Sequence, residues 1–230
     1  MPLTSYGDQK FLEVLFGSVT GNVPATFNVG LIKAKGYWTA STVYTAGDIV
    51  VPTDFATTNS IFVCAVGGTS GSTQPTWSST SLVSDTGGSA VRWVDVSAAN
   101  VTGAPAGYGL TTPYFYTQAN ILSNEFASAN GYSRKTATNN NSAGNFASPS
   151  LNTDNKSYKT TYGTGISFTQ STAAWGSTGN LVVGFFFSDS ATVGAGNVWA
   201  WGTLSNYIAV ASSGITVNLP ATTGLTVTLA

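Results

Sequence analysis

Few side chains in this sequence are able to do chemistry, and their types exclude several kinds of active site. The 230 residues contain no histidine and a single cysteine, Cys64. Nucleophiles activated by histidine, zinc held by histidine and a thiolate zinc site within one chain are therefore excluded. Because a disulfide needs two cysteines, we expect Cys64 to be a free thiol. Its segment "IFVCAV" is apolar on both faces of a strand, so we expect this thiol to be buried.

Carboxylates are the remaining candidates for catalysis, because two acids suffice for glycoside hydrolysis. The nine acids are scattered singly along the chain: Asp8, Glu13, Asp48, Asp54, Asp85, Asp95, Glu125, Asp154 and Asp189. A glycosidase pair lies roughly 5 to 9.5 Å apart in a groove, and no two of these acids are marked as a pair by the sequence. We predict that the protein is not an enzyme and has no catalytic, cofactor-binding or metal-binding residue. An enzyme acting on cell-wall polysaccharide stays open as an alternative.

The composition describes a folded chain with very little charge. Charged residues make up 7 % of the sequence, against roughly 25 % in an ordinary globular domain. Six Trp, ten Tyr and twelve Phe argue against disorder. The net charge of −1 offers no attraction to nucleic acid or to an anionic membrane surface. The longest apolar run, around 181–187, is far shorter than the ~20 residues of a membrane span, and no signal peptide is recognisable.

The first segment is predicted to be the one substantial helix, over residues 5–16. Ser5 suits the N-cap, Asp8 stands three residues later, and Gly17 suits the left-handed position after the last turn. Apolar residues that include Tyr6 and Phe11 cover one broad side. This side is expected to pack on its own domain or, alternatively, to contact a neighbouring subunit.

Residues 37–96, which we call the module, are predicted to form a small antiparallel β subdomain. Short runs rich in β-formers, "DIVVP", "SIFVCAV" and "AVRWVDV", alternate with the turn segments "TAGD", "VPTD", "GGTSGSTQP" and "SDTGG". Residues 1–36 and 97–230, which we call the base, then form one domain into which the module is inserted, and we predict that the module can be removed without unfolding the base. Residues 98–147 are predicted to be loops with one or two short strands.

Four aromatic residues of the module have two possible roles. A small sheet builds little core from its strands alone, so Trp77, at the end of a flexible loop, is predicted to fold back over the hydrophobic centre with Trp38, Tyr44 and Trp93. The alternative is that these rings are exposed and stack on a sugar.

The last third of the chain is predicted to be the main β region of the base. "GISFTQST", "NLVVGFFFSD", "NVWAWGTL" and "YIAVASS" read as strands. The near-repeat "SSGITVNLPA" and "TTGLTVTLA" predicts a terminal hairpin or two neighbouring strands of one sheet. The fold class is therefore mainly β, with an antiparallel β-sandwich-like base, one N-terminal helix and the inserted module.

The order of several short motifs resembles a family of tailed-bacteriophage virion proteins. The motifs are "YGDQKFLEVLFG", "PATFNVGLI", "NGYSRKTAT", "ISFTQSTAAWGS", "NLVVGFFFSDSATVGAGNVWAWGTL" and "GLTVTLA", within 4–33 and 124–230. The module, through "YTAGDIVV", "FVCAVGGTSGSTQPTW" and "VRWVDV", is similar to a small module inserted in many phage structural proteins. It is also similar to the chitin-binding modules of some secreted glycosidases, which stack exposed aromatics on sugars.

This resemblance implies a non-enzymatic structural protein on the surface of a virion, made in the cytoplasm of a bacterial host. A capsid decoration or cement protein or a head fibre is expected first. A tail fibre or receptor-binding protein, whose module binds host-surface carbohydrate, is the alternative. Expected partners are other copies of the chain, as a trimer, and other virion proteins. In the loop "TTPYFYTQ", stiffened by Pro113, Tyr114 and Phe115 are predicted to contact the next subunit, beside Tyr6 and Phe11 of the helix. The alternative is that Tyr114 and Phe115 fill the core of their own subunit.

Overall fold

The computed structural model of the chain describes residues 6–7, 9–10, 24–55, 60–85, 91–95, 118–138, 146, 150–151, 158–161, 163–176, 180–220 and 226–229. In chain order its strands are β1 (Thr26–Ala34), β2 (Gly36–Tyr37), β3 (Val43–Tyr44), β4 (Ile49–Val51), β5 (Phe62–Val66), β6 (Gly68–Thr69), β7 (Val83–Ser84), β8 (Arg92–Asp95), β9 (Lys135–Thr138), β10 (Ser150–Leu151), β11 (Tyr158–Thr161), β12 (Ile166–Ser167), β13 (Leu181–Ser188), β14 (Val198–Ala209), β15 (Asn218–Leu219) and β16 (Thr226–Leu229). A short helix, α1, spans Gln118–Ser123. The predicted mainly β, largely antiparallel fold is confirmed.

The base is organised around an antiparallel sheet with the strand order β14-β13-β1-β9. All eight residues of β13, "LVVGFFFS", are buried, as expected of a central strand covered on both faces. On β1, Val29 and Leu31 point to one face, whereas Ile32 and Ala34 point to the other. The sheet therefore has a hydrophobic core on each side.

One face of this sheet is covered by the rest of the base. We call this cluster the base core, and its large buried members are Leu31, Phe126, Tyr132, Phe146, Phe168, Trp175, Phe185, Phe187 and Leu219. The strands around it are short: β12 pairs with β15, and β11 pairs with β10 and β16. The predicted pairing of the two C-terminal repeats is therefore wrong. β15 and β16 lie in different sheets, because each finds its partner in the 158–167 region and not in its neighbour along the chain.

The module forms a five-stranded sheet with the order β2-β4-β5-β8-β7, and β3 pairs with β6 beside it. Within this sheet β2 and β4 are parallel, and the other pairs are antiparallel. Alternate residues of β5 face opposite sides, with Phe62 and Cys64 on one and Val63 and Ala65 on the other. Cys64 is fully buried and free, which confirms its prediction.

The two sheets meet in a single hydrophobic cluster, which we call the shared core. The module contributes Ile49, Val51, Phe55, Ile61, Val63, Ala65 and Val94, and the base contributes Ile32, Ala34, Ile121, Leu181, Val183, Phe186, Val198 and Trp201. The second face of the base sheet is thus covered by the module. The module's other face carries its own module core, made of Trp38, Tyr44, Val50, Phe62, Cys64, Val83, Val91 and Trp93.

Helical structure is limited among the described residues. Tyr6, Gly7, Gln9 and Lys10 are helical, and the rest of the predicted 5–16 helix lies outside the described part of the chain. Helix α1 corrects the prediction that its region is loop or strand. It has six residues, of which Ile121 alone is buried. The apolar periodicity that identifies a helix in a sequence therefore does not develop over this segment. No helix in the described ranges is sufficiently long and apolar to span a bilayer.

Candidate functional site

An open groove of about 530 Å³ lies on the module, beside the end of the glycine-rich loop. Its described lining residues are Asp54, Ser60, Phe62, Gln74, Pro75, Thr76, Trp77 and Ser79. This volume falls within the roughly 300–1,000 Å³ of small-molecule sites. The described lining of the groove combines an aromatic wall, an amide, a carboxylate and three hydroxyl groups, which can stack on a ring and form hydrogen bonds.

Trp77 forms the aromatic wall of the groove and is held there by other rings. Its indole lies over Phe62, with ring centroids 4.4 Å apart, and meets Trp93 edge-on at 5.9 Å. Among the residues that the structure describes, its buried Nε1 has no hydrogen-bond partner. Contacts with Phe62 and Trp93 therefore hold this half-buried ring, which the sequence predicted to cover the module's centre.

Gln74 and Asp54 form the polar side of the groove. Gln74 Oε1 accepts hydrogen bonds from Thr53 N at 2.9 Å and from Thr53 Oγ1 at 2.7 Å. Its Nε2 donates to Asp54 Oδ1 at 2.9 Å. The amide is thereby fixed in one orientation, and the exposed Asp54 carboxylate is held beside it.

The other three rings predicted to stack on a sugar are buried, which corrects that alternative for them. Trp38 is 6 % exposed, Tyr44 is 2 % and Trp93 is 0 %. Trp38 Nε1 donates to Asp85 Oδ2 at 3.0 Å, and Tyr44 and Trp93 form an edge-on pair at 4.9 Å. The module is too small to form its core from aliphatic strands alone, so these rings fill it. Of the predicted set, Trp77 alone borders an open groove.

The described carboxylates of the base and module serve mainly as structural acceptors. Glu125 accepts two hydrogen bonds from Arg134, at 2.8 and 2.7 Å, with both side chains almost fully buried. Asp48 pairs with Lys35 at 2.6 Å. Asp189 accepts from the backbone N–H and the side chain of Asn197.

No group of three or more metal-binding side chains occurs within the described residues. Asp8, Glu13 and Asp154 lie outside them. The acids that can be located are therefore spread over separate structural contacts.

Two buried groups with potential reactivity are kept protonated by their surroundings. Burial raises the pKa of the Cys64 thiol to about 12, with a further contribution from Asp48. Burial, together with nearby Glu125, raises the pKa of Tyr132 well above its ordinary value. Because the thiolate is the nucleophilic form of cysteine, Cys64 is suited to packing and not to reaction.

Of the predicted subunit contacts, Tyr6 alone is described. It is half-buried, and its ring meets Trp199 edge-on at 5.4 Å. Tyr6 therefore packs on its own base, as the first alternative predicted. Phe11, Tyr114 and Phe115 lie outside the described residues.

Sequence reasoning missed the polar half of the groove. Asp54 stands in the turn "VPTD", and Gln74 is the amide within a loop otherwise made of small residues and proline. The available signal was Gln74 itself, which interrupts a run of small residues before Pro75 and Trp77. The contact between Gln74 and Asp54 depends on the tertiary structure, so it could not be predicted from the sequence.

In comparisons with known proteins, no family model, curated protein or solved structure matches this chain.

Proposed function

We propose that this chain is a non-enzymatic structural protein of a tailed-phage virion, exposed on the particle surface. Within that class we propose a capsid decoration or cement protein, or a head fibre, as the first candidate. It acts through contacts with other copies of itself, three in each assembly, and with other virion proteins.

The shared core is the observation that carries this proposal. It joins the module to the base through buried side chains such as Val63 and Val183, and the Glu125–Arg134 pair ties the loop after β13 to the base. A scaffold fixed in this way presents its loops in one arrangement, which reduces the ordering cost of docking on neighbours. The low charge also suits dense packing of many copies, because repulsion between neighbours is small.

Labelling of purified virions tests this proposal. Antibodies raised against the purified chain, conjugated to gold, should decorate the capsid surface in electron micrographs. Gold on the tail would instead support the second candidate function, which is described below. Absence of the chain from virions, measured by mass spectrometry, would overturn the virion assignment. Light scattering of the purified protein tests the trimer, and a monomer at every concentration would exclude it.

The second candidate is a tail fibre or receptor-binding protein whose module binds host-surface carbohydrate. The groove beside Trp77 favours it, because an indole next to a fixed amide and carboxylate is suited to a ring with an apolar face and hydroxyl edges. Competition tests this candidate: excess purified chain should reduce phage adsorption to host cells. Undiminished adsorption at saturating protein would contradict it.

A further inference from the structure

We propose that the groove lined by Trp77, Gln74 and Asp54 binds an uncharged sugar ring and discriminates against acidic sugars. This assignment rests on the second candidate function and gives it a site and a ligand class. It differs from the predicted aromatic platform, since three of those four rings are buried. One half-buried ring that borders the groove, with a polar pair beside it, replaces the platform.

The apolar side of the site is prepared for stacking. A pyranose presents C–H groups on one face, and an indole offers a large rigid surface at a low cost in conformational entropy. Trp77 is backed by Phe62 at 4.4 Å and by Trp93 at 5.9 Å. A ligand on the groove side therefore meets a ring that is already held in place.

The polar side is prepared for hydroxyl groups. Gln74 has both ends of its amide committed, to Thr53 and to Asp54, so its orientation is set before a ligand arrives. Asp54 is exposed, and a carboxylate can accept hydrogen bonds at both oxygens. Ser60, Thr76 and Ser79 add hydroxyl groups along the same groove. Neighbouring hydroxyls on a sugar ring match this arrangement of acceptors and donors.

Charge determines which sugars fit. Among the described lining residues Asp54 is the one charged side chain, and it is negative. Lysine and arginine, the usual partners of carboxylate, sulfate and phosphate groups, do not occur in the described lining. An acidic sugar would bring a like charge towards Asp54 without compensation, whereas an uncharged one would gain a charge-assisted hydrogen bond.

Calorimetric titration of the full chain tests the assignment. The probes are hexasaccharides of glucose and of N-acetylglucosamine, and hexagalacturonate as the acidic comparator. We expect one of the uncharged probes to bind at least about tenfold more tightly than hexagalacturonate. Trp77→Ala should weaken that binding by more than about tenfold, and Trp77→Phe should weaken it less because part of the ring surface remains.

Asp54→Asn separates recognition from folding, because Asp54 is exposed and the substitution preserves its shape. We expect uncharged binding to weaken by about three- to tenfold and the preference over hexagalacturonate to shrink. Thr80→Ala, outside the described lining, is the matched control and should change neither affinity. Thermal unfolding verifies that each variant is folded.

Three results overturn the assignment: no binding of either uncharged probe, hexagalacturonate binding as tightly as the uncharged probes, or binding that Asp54→Asn and Trp77→Phe leave unchanged. Gold labelling of virions distinguishes this failure from failure of the proposed function. A chain located on the particle that binds no sugar overturns the groove assignment alone. A chain that binds sugar but is absent from virions overturns the virion assignment alone.

Discussion

The base and the module solve the problem of burying polar groups in different ways. In the base, a complete ion pair is removed from water: the Glu125 and Arg134 side chains are 1 % and 0 % exposed. In the module, the half-buried Asp85 lies at the margin of the core. It accepts from Trp38 Nε1 at 3.0 Å, from Trp93 Nε1 at 3.4 Å and from Gly71 N at 2.8 Å.

The hydrogen-bond network around Glu125 and Arg134 is more completely satisfied than the one around Asp85. It is also less tolerant of the loss of a partner. Arg134 also donates to the carbonyls of Ser190 and Ala195, while Glu125 accepts from Tyr132 Oη and Gly194 N. Strand β1 has glycine at position 30, where it passes this network. A Cβ at Gly30 would collide with the Phe186 ring and lie 2.9 Å from Glu125 Oε1. A buried charge of this kind tolerates no missing partner.

The module depends on the base in another way, through the burial of one face of its sheet. The module has its own core, but its second face is buried against the base sheet and Ile121 of α1. We therefore expect one cooperative unit, in which breaking the base network, the shared core or the module core has graded consequences.

Deleting the module should have the largest effect. Joining Gly36 to Ser97 would expose Ile32, Val183 and Trp201 of the base sheet. Each such side chain contributes about 1.5–3 kcal/mol when buried, and a whole domain is stable by about 5–15 kcal/mol. We expect an insoluble or unfolded product, measured by expression and circular dichroism.

The matched control replaces the same three residues by threonine in the deleted chain, which makes the uncovered face compatible with water. Recovery of soluble protein in this control identifies the shared core as the cause. A soluble, folded deletion without those changes would show that the base is independent, as the sequence pattern alone suggested.

The shared core shows where sequence reasoning reached its limit. The apolar alternation on both faces of "IFVCAV" correctly predicted that the strand and Cys64 are buried. It carried no information on which surface covers the second face, because the covering residues Val183 and Trp201 lie more than a hundred positions away. The strand-like runs likewise predicted a mainly β protein, and "NLVVGFFFSD" was among the segments predicted to be strands.

Long-range pairing was the other limit. The two similar C-terminal segments predicted neighbouring strands, whereas β16 pairs with β11. In the candidate site, Trp77 was recognisable as the end of a flexible loop. Asp54 and Gln74 meet across twenty residues through one hydrogen bond, which no local pattern encodes.

Cys64 labelling measures whether the module opens separately from the base. The thiol is in the module core, and its pKa of about 12 suppresses reaction in the folded state. If the protein is one unit, the opening free energy from iodoacetamide labelling should equal the free energy of global unfolding in urea. If labelling gives an opening free energy several kcal/mol below the free energy of global unfolding, the module and the base are two separate units.

Breaking the Glu125–Arg134 ion pair should lower the free energy of unfolding without unfolding the protein. The loss should be larger than that of any change at the margin of the module core. Arg134→Met leaves Glu125 buried without its partner, and the expected loss is about 3–5 kcal/mol. Urea denaturation measures it. Adding Glu125→Gln removes the uncompensated charge, retains an acceptor for Gly194 N, and should recover a large part of the loss. A single variant within about 1 kcal/mol of the wild type would contradict the interpretation of the base network.

Asp85→Ala should be milder, because it removes an acceptor and leaves no charge behind. The Trp38 indole and Gly71 N then lose a partner, at an expected cost of about 1–3 kcal/mol in unfolding free energy. Asp85→Asn keeps one carbonyl oxygen and should recover part of that cost. A loss as large as that of Arg134→Met would erase the contrast between the two regions.

Tyr37→Phe should have the smallest effect, although it also acts between module and base. Tyr37 of β2 donates to Tyr207 Oη of β14 at 2.8 Å, and the two rings meet edge-on at 5.7 Å. Since Tyr37 is 44 % exposed, water replaces the lost bond, and we expect a loss below about 0.5 kcal/mol. The same bond raises the pKa of Tyr37 to about 12. Tyr207→Phe, the matched variant, should therefore bring the Tyr37 pKa back towards about 10, measured by NMR of ring-labelled tyrosine, with an equally small change in stability. If either variant lost more than about 1.5 kcal/mol, this exposed contact, and not the shared core alone, would hold module and base together.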